Sequence, residues 1–471
     1  MINLVDSRNY LSNGDSNSAQ TVRKSIPIRN ALRTFRRPQL SQIPQLALLP
    51  KEISEEIDLL ARVLPFKVNQ YVTDQLIDWK NVPNDPIYRL TFPQPEMLRL
   101  EDRTHLRELI NKNADDEKID GFIKKLRLNM NPHPADQKLN APVYEGEVLE
   151  GLQHKYAETV LFFPSQGQTC HAYCTFCFRW PQFVDDFADK FASSDCGQLH
   201  DYLRLHGEVS DLLLTGGDPM VMNARRLREY LEPLLDPDLN HIKNIRIGTK
   251  SLTYWPYRFI SDNDTAELFS LFRKLIDGGK NVTIMAHLNH WKEISTEAAQ
   301  EAIFNLRKVG IVIRSQGPIL KNINDSADIW KKNWSEQVRL GIVPYYMFVE
   351  RDTGPREYFQ LPLAQALNIY NESVSSVSGL ARTARGPSMS TGPGKVEVSG
   401  TIEISKQKYF LLNFIQARNI SWLRKPFLAK YSETACWLDQ LSPPEGQQEF
   451  FFQKDYSEFV AQNSRLLGEL T

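Results

Sequence analysis

The chain has 471 residues, 41% hydrophobic and 24% charged, which is the composition of a soluble globular protein rather than a disordered or fibrous one. Its 56 Lys and Arg against 57 Asp and Glu leave a formal charge of -1, so no net field favours nucleic acid or an anionic membrane as partner. No apolar run approaches the roughly 18 residues of a membrane span, and the start MINLVDSRNYLSNGDSNSAQ lacks a basic-then-apolar leader, which makes the cytoplasm the expected location.

Residues 1 to about 45, rich in Ser, Asn, Gln and Arg, are expected as a loosely attached arm. Helical periodicity follows in KEISEEIDLLARVLPF, where Ile53, Ile57, Leu60 and Val63 share a face, and in HLRELINKNADDEKIDGFIKKLRL. Pro132 and Pro134 end that region, giving a first unit over residues 1–150. From about 155 the chain alternates. Short β-rich runs, Thr159–Phe163, Asp211–Leu214, Ile245–Gly248, Val282–Met285, Ile311–Arg314 and Val343–Phe348, are separated by amphipathic stretches, several ending in Gly. Six strand–helix units in succession predict an α/β fold with a parallel sheet and right-handed crossovers. Six are fewer than the eight of a closed barrel. The expectation over residues 151–350 is therefore a partial (β/α)6 TIM-like barrel, with an N-terminal helical region and a C-terminal β-hairpin and tail. In residues 351–471 a helix is expected over Leu361–Ser375, then a long loop, GLARTARGPSMSTGPGK. VEVSGTIEIS and KQKYFLLNF alternate as a hairpin, and the aromatic tail (Trp422, Trp437, Phe450 to Phe452) reads as an ordinary apolar patch.

Three of the five cysteines lie in TCHAYCTFC: Cys170, Cys174 and Cys177. Closely spaced thiolates are soft ligands that select iron–sulfur clusters or zinc. Four-iron clusters ordinarily take four thiolates, so three leave one iron open to a small molecule. Zinc completed by His171 or His154, or a cluster completed by Cys196, are the alternatives. Polar residues also gather at the ends of successive strands. Thr215, Gly216, Gly217 and Asp218 follow the second strand, and Gly248, Thr249 and Lys250 end the third. His287, Asn289 and His290 end the fourth, and Arg314, Ser315 and Gln316 fall at the fifth. Strand C-terminal ends are where barrels of this kind place their sites.

CxxxCxxC with Phe176 before the last cysteine resembles the signature of the radical S-adenosylmethionine (SAM) enzymes. HKYAETVLFF, LLLTGGDP, IRIGTKS, HLNHWKEIS, SQGPILKNIND, VPYYMF and TGPGK, in order from about Leu152 to Ile404, resemble the lysine 2,3-aminomutase family. The resemblance implies a 4Fe-4S cluster on the three cysteines, with SAM chelated at the open iron and held by the loop of Gly216, Gly217 and Asp218. His287 and Gln316 lie at the strand ends facing it. It implies a 5′-deoxyadenosyl radical and transfer of an α-amino group to the β-carbon.

The same resemblance implies pyridoxal phosphate (PLP) on Lys395, with Lys155 and Tyr156 near that cofactor, and Arg179 gripping the substrate α-carboxylate as a planar fork. Two aspartates hold the remote ammonium in lysine-specific relatives. Their counterparts here are Arg351 and Ser388, which points to a glutamate-like amino acid. The family also implies an electron donor such as flavodoxin or ferredoxin, and a homo-oligomer. Two other readings stand beside this one: a radical SAM reaction without PLP, and a non-catalytic metal-binding module. Production of β-lysine for a translation factor is disfavoured by the missing acidic pair.

Overall fold

The computed structural model describes residues 31–132, 138–184 and 191–470. Its spine is one open sheet of eleven strands in which every strand lies beside its neighbour in sequence. They are β1 (Leu152–Tyr156), β2 (Thr159–Phe162), β3 (Asp211–Leu214), β4 (Asn244–Thr249), β5 (Asn281–His287), β6 (Val312–Ile319), β7 (Val343–Val349), β8 (Arg385–Ser390), β9 (Gly394–Ile404), β10 (Gln407–Ala417) and β11 (Pro426–Lys430). From β2 to β8 all pairings are parallel, and β1 and β9 to β11 are antiparallel additions at the two ends. The chain is thus mixed α/β, as expected. No strand pairing joins β1 to β11, so among the described residues the sheet does not close into a ring.

The six expected strands are all present, and a seventh parallel strand joins them. β8 falls inside the stretch expected as a long loop. Its sequence, RGPSMS, has no β-branched residue and carries Gly386 and Pro387, which hide it. Gly386 to Met389 are nonetheless buried, because β8 is sandwiched between β7 and β9. Lys395 consequently sits in strand β9 rather than on a loop, paired with Ser390 and Gln416.

Helices cross between the parallel strands: α4 (Cys196–Leu205), α5 (Ala224–Leu231), α6 (Thr265–Asp277), α7 (Glu297–Val309), α8 (Ala327–Arg339) and α9 (Leu363–Ser375) follow α1 (Lys51–Leu60), α2 (Leu100–Asn111) and α3 (Asp116–Asn129), and α10 (Gln453–Leu470) ends the chain. The largest apolar cluster lies between the sheet and its crossover helices, with Val160, Leu212, Ile245, Ile284 and Ile313 meeting Leu203, Leu227, Leu271 and Leu306. The stretch expected as continuous helix from His105 is split into α2 and α3, where Asn113 adopts φ 47°.

Residues 34–45 are not a loose arm. Thr34–Arg36 pairs antiparallel with Lys67–Asn69, and Phe35, Leu40 and Ile43 are buried. The remainder of the expected arm, residues 1–30, lies outside the described residues. The predicted hairpin is β9–β10, turned through Ser405 and Lys406, both at positive φ as tight hairpins require. The aromatic tail folds onto this hairpin: Phe414 meets Trp422, Phe427 and Phe452 in a third apolar cluster. No helix among the described residues is long and apolar enough to cross a membrane.

Candidate active site

The loop carrying Cys170, Cys174 and Cys177 follows β2 and is held from both sides by backbone bonds. From the N-terminal region, Lys67 O accepts from Tyr173 N at 2.8 Å and Leu90 O from Thr175 N at 3.0 Å. The Asn69 side chain donates to His171 O at 3.1 Å and to Tyr254 O at 2.8 Å. From the sheet, the glycines after β3 press directly on the loop. A Cβ on Gly217 would stand 2.4 Å from Thr169 O, and one on Gly216 (φ 145°) 2.2 Å from Gln168 Nε2. Only glycine permits that approach. These two residues therefore bring the loop after β3 against the thiol loop, as a ligand spanning both would need.

Burial pushes the three thiols up, Cys177 to about 12 and Cys174 to about 11, and the thiols raise one another where Cys170 and Cys177 face their fellows. Three thiols in one another's field are poorly placed to ionise alone, and a metal cluster that offers each thiolate its own cation would relieve this. Cys196 and Cys436 lie elsewhere, on α4 and in the tail, and no disulfide joins any of the five among the described residues. His171, a candidate fourth ligand, is held to about 3 by burial, and its Nδ1 pairs with Ser251 Oγ at 3.0 Å. His154 points elsewhere, to Tyr202.

Asp218, expected with Gly216 and Gly217 to hold SAM, is 2% exposed and already saturated. Thr249 Oγ1 (2.7 Å), Lys250 N (2.9 Å), Ser251 Oγ (3.1 Å) and Met220 N (2.9 Å) all donate to it. Burial raises its pKa against these bonds. Asp218 thus ties β3 to the end of β4 instead of facing outward. A residue that the sequence does not flag, Glu293, does comparable work one strand on. It is fully buried, ion-pairs with Lys250 and accepts from His290 N at 2.9 Å.

His287 stacks on Phe176 of the thiol loop at 5.7 Å, and burial with the Lys250 charge lowers it to about 3, so its ring is neutral. Its Nδ1 is buried and makes no hydrogen bond of good geometry among the described residues, with the Asn289 side chain the polar group beside the ring. His287, Gln316, Tyr346 and Arg385 are successive pairing partners across β5, β6, β7 and β8, one row of side chains at the same height. The Lys395 amine lies over the Tyr346 ring at 4.2 Å and donates to Gln416 Oε1 at 2.9 Å. Burial, then Arg246, Arg385 and Arg351, depress it to about 7. A lysine that is neutral near physiological pH is the form that attacks an aldehyde, so this residue fits a Schiff-base cofactor.

A cavity of about 140 Å³ lies alongside, lined by none of the three cysteines, His287 or Lys395 but by residues next to Cys177 in sequence and to Lys395 in strand pairing. It is lined by Lys155, Arg179, Arg351 and Arg418, with Thr215 beside the glycine loop and Ser390 beside Lys395. Arg351 reaches it and stacks over Phe178 at 4.6 Å, while its neighbour Asp352 is not among the lining residues. Arg179, 4% exposed, lies over Phe163 at 4.2 Å and donates to Gln168 Oε1 at 3.3 Å. Lys155 donates to Thr391 O, and Tyr156 is half-buried, its hydroxyl raised by desolvation in the field of Arg418 and Arg351. Ser388 is fully buried and bonds Met347 O at 3.4 Å; it does not line the cavity. Arg418 and Tyr456 do line it, and neither is legible in the sequence: they come from the end of β10 and from α10, with no motif around them.

No family model matches the chain. Individual relatives do. A protein of Aquifex aeolicus (strain VF5) named "Putative L-lysine 2,3-aminomutase" is 29% identical over 414 residues, 88% of this chain and 93% of its own length. The L-lysine 2,3-aminomutase of Bacillus subtilis (strain 168) is 26% identical over 71% of this chain and 74% of its own, and that of Clostridium subterminale 26% over 67% and 73%. Among solved structures, Streptococcus suis SuiB bound to precursor peptide SuiA aligns over 58% of this chain and 57% of its own at a TM-score of 0.33 and 12% identity, too distant to support any inference. By its sequence relatives the chain is an enzyme of the radical SAM isomerase class. Within that class it is homologous to the L-lysine 2,3-aminomutases, and this kinship implies a 4Fe-4S cluster and SAM.

Proposed function

We propose that the chain is a PLP-dependent radical SAM 2,3-aminomutase whose substrate is an amino acid with an anionic side chain, glutamate or a close analogue. When bound, the cluster, SAM and PLP supply a carbon-centred radical that removes a β-hydrogen, and a carbonyl that takes up the substrate amine and delocalises the spin. The remaining tasks fall to the chain. Cys170, Cys174 and Cys177 hold the cluster, and Gly216 and Gly217 set the loop that receives SAM beside it. His287, its ring neutral, and Gln316 face that ligand. Lys395 holds PLP while neutral, and Lys155 and Tyr156 flank it. Arg179 offers a bidentate fork to the α-carboxylate, and its burial keeps water from competing.

The observation that carries the substrate class is Arg351, which lines the cavity at the position where the family resemblance places an aspartate in lysine-specific relatives. A lysine ammonium would meet like charge in a poorly hydrated site, where repulsion is costly, whereas a second carboxylate is attracted. Anaerobically reconstituted enzyme should therefore turn over glutamate at least about tenfold faster than lysine, the ratio that ~1.4 kcal/mol of discrimination gives. Arg351→Asp should narrow or reverse that ratio. Faster turnover of lysine by the unaltered protein contradicts the substrate assignment while leaving the aminomutase reading intact. A homo-oligomer in the cytoplasm, reduced by flavodoxin or ferredoxin, completes the proposal.

A further inference from the structure

A second cluster of ligating side chains lies at the edge of the sheet. Along β1 the neighbours Gln153 and Lys155 both line the active-site cavity. His154 lies between them in a stretch of irregular pairing and turns onto α4, where its ring meets Tyr202. There it meets His206, just past the end of α4, and Glu208, two residues on. One ligand atom from each of the three lies within 4.8 Å of the other two. His154 and His206 are half-buried and Glu208 is exposed, which leaves a path from solvent.

We infer that His154, His206 and Glu208 form a binding site for a borderline-soft divalent cation, zinc above all. Two imidazoles and a carboxylate are a familiar zinc donor set, completed by water in the fourth position. Tetrahedral ligands at ~2.1 Å from zinc stand roughly 3.4 Å apart, so small rotamer adjustments close this set around the ion. The hydrogen bonds already orient the rings. His154 Nε2 donates to Ala157 O at 3.1 Å, since a carbonyl only accepts. That fixes Nδ1 as the lone-pair nitrogen, which at present accepts from Tyr202 Oη at 2.6 Å. On metal binding the Tyr202 hydroxyl gives up that bond to the ion, while the Ala157 carbonyl keeps the ring in place as outer-shell partners do. His206 Nδ1–H donates to Glu208 Oε1 at 2.8 Å, and on metal binding the ion takes the place of that proton, which is released to solvent.

The ion would pin edge strand β1, which presents Lys155 to the cavity, to the connection between α4 and β3. Its test does not depend on the thiol loop, because the readout is a difference between variants. Holoenzyme reconstituted with iron is equilibrated with Zn2+, and bound zinc and iron are counted by mass spectrometry. The expected result is one zinc per chain in the unaltered protein that is bound roughly tenfold or more weakly in His206→Ala and in Glu208→Gln. His241→Ala, a nearby histidine whose ring bonds Leu203 O, should keep it. Iron content reports an intact fold in each. If His206→Ala loses iron as well, Glu208→Gln decides alone. Zinc affinity in Glu208→Gln equal to that of the unaltered protein, or no zinc gained by the unaltered protein, overturns the site.

Discussion

Lys395 shows how one residue acquires a role from its surroundings. In water a lysine stays protonated to about pH 10.4; here burial and three arginines bring it to about 7. Between those values the folded protein binds fewer protons than the unfolded chain. The penalty of holding this amine inside is therefore full below pH 7 and fades as pH rises toward 10.5, so stability of the cofactor-free protein should increase across that window. Capture of PLP, which needs the neutral amine, should rise with pH through about 7. It is read as the visible band of the lysine Schiff base. Lys395→Ala should lack the band while keeping its iron, and an unchanged band in that variant would remove Lys395 from the proposal. The cysteine spacing is legible because three nearby thiols in a reducing compartment have few other uses. Arg418 is not, because nothing local marks an arginine at the end of β10 as a neighbour of Arg179, more than two hundred positions earlier.

At the scale of elements, close approach and packing separate residues of the same type. Gly217→Ala drives a methyl into the Thr169 backbone, which cannot yield as a side-chain tip would. It should cost about 1–3 kcal/mol and lower iron retention by displacing the thiol loop. Gly121, exposed in the interior of α3, offers the contrast, since an added methyl there would find nothing within 4 Å. Gly121→Ala should stabilise by roughly 0.5–1 kcal/mol. Chemical denaturation of both variants compares them directly, and equal effects would deny the close approach. Phe414, fully buried on β10 among Trp422, Phe427 and Phe452, should cost about 3–5 kcal/mol as Phe414→Ala. Strands with Val, Ile and Leu in steady alternation are readable from the sequence. β8 is not, since its burial is imposed by β7 and β9 rather than by its own side chains. Residues 34–45 mislead for a similar reason: a polar composition hides Phe35, Leu40 and Ile43, which find partners only after Lys67–Asn69 comes alongside.

Across the whole molecule, three regions distant in sequence meet at one end of the sheet. The N-terminal region clamps the thiol loop through Lys67, Asn69 and Leu90; the parallel strands supply the row from His287 to Arg385; and β9, β10 and α10 deliver Lys395, Arg418 and Tyr456. In the proposed function each contribution serves a centre that generates a radical beside a bound amino acid. The most direct test is anaerobic reconstitution with iron and sulfide, addition of SAM and a strong reductant, and quantification of 5′-deoxyadenosine with and without glutamate. Formation of the nucleoside that needs iron and is abolished in Cys174→Ser is the expected result. A metal centre coordinated entirely by the protein, leaving SAM uncleaved, would contradict it.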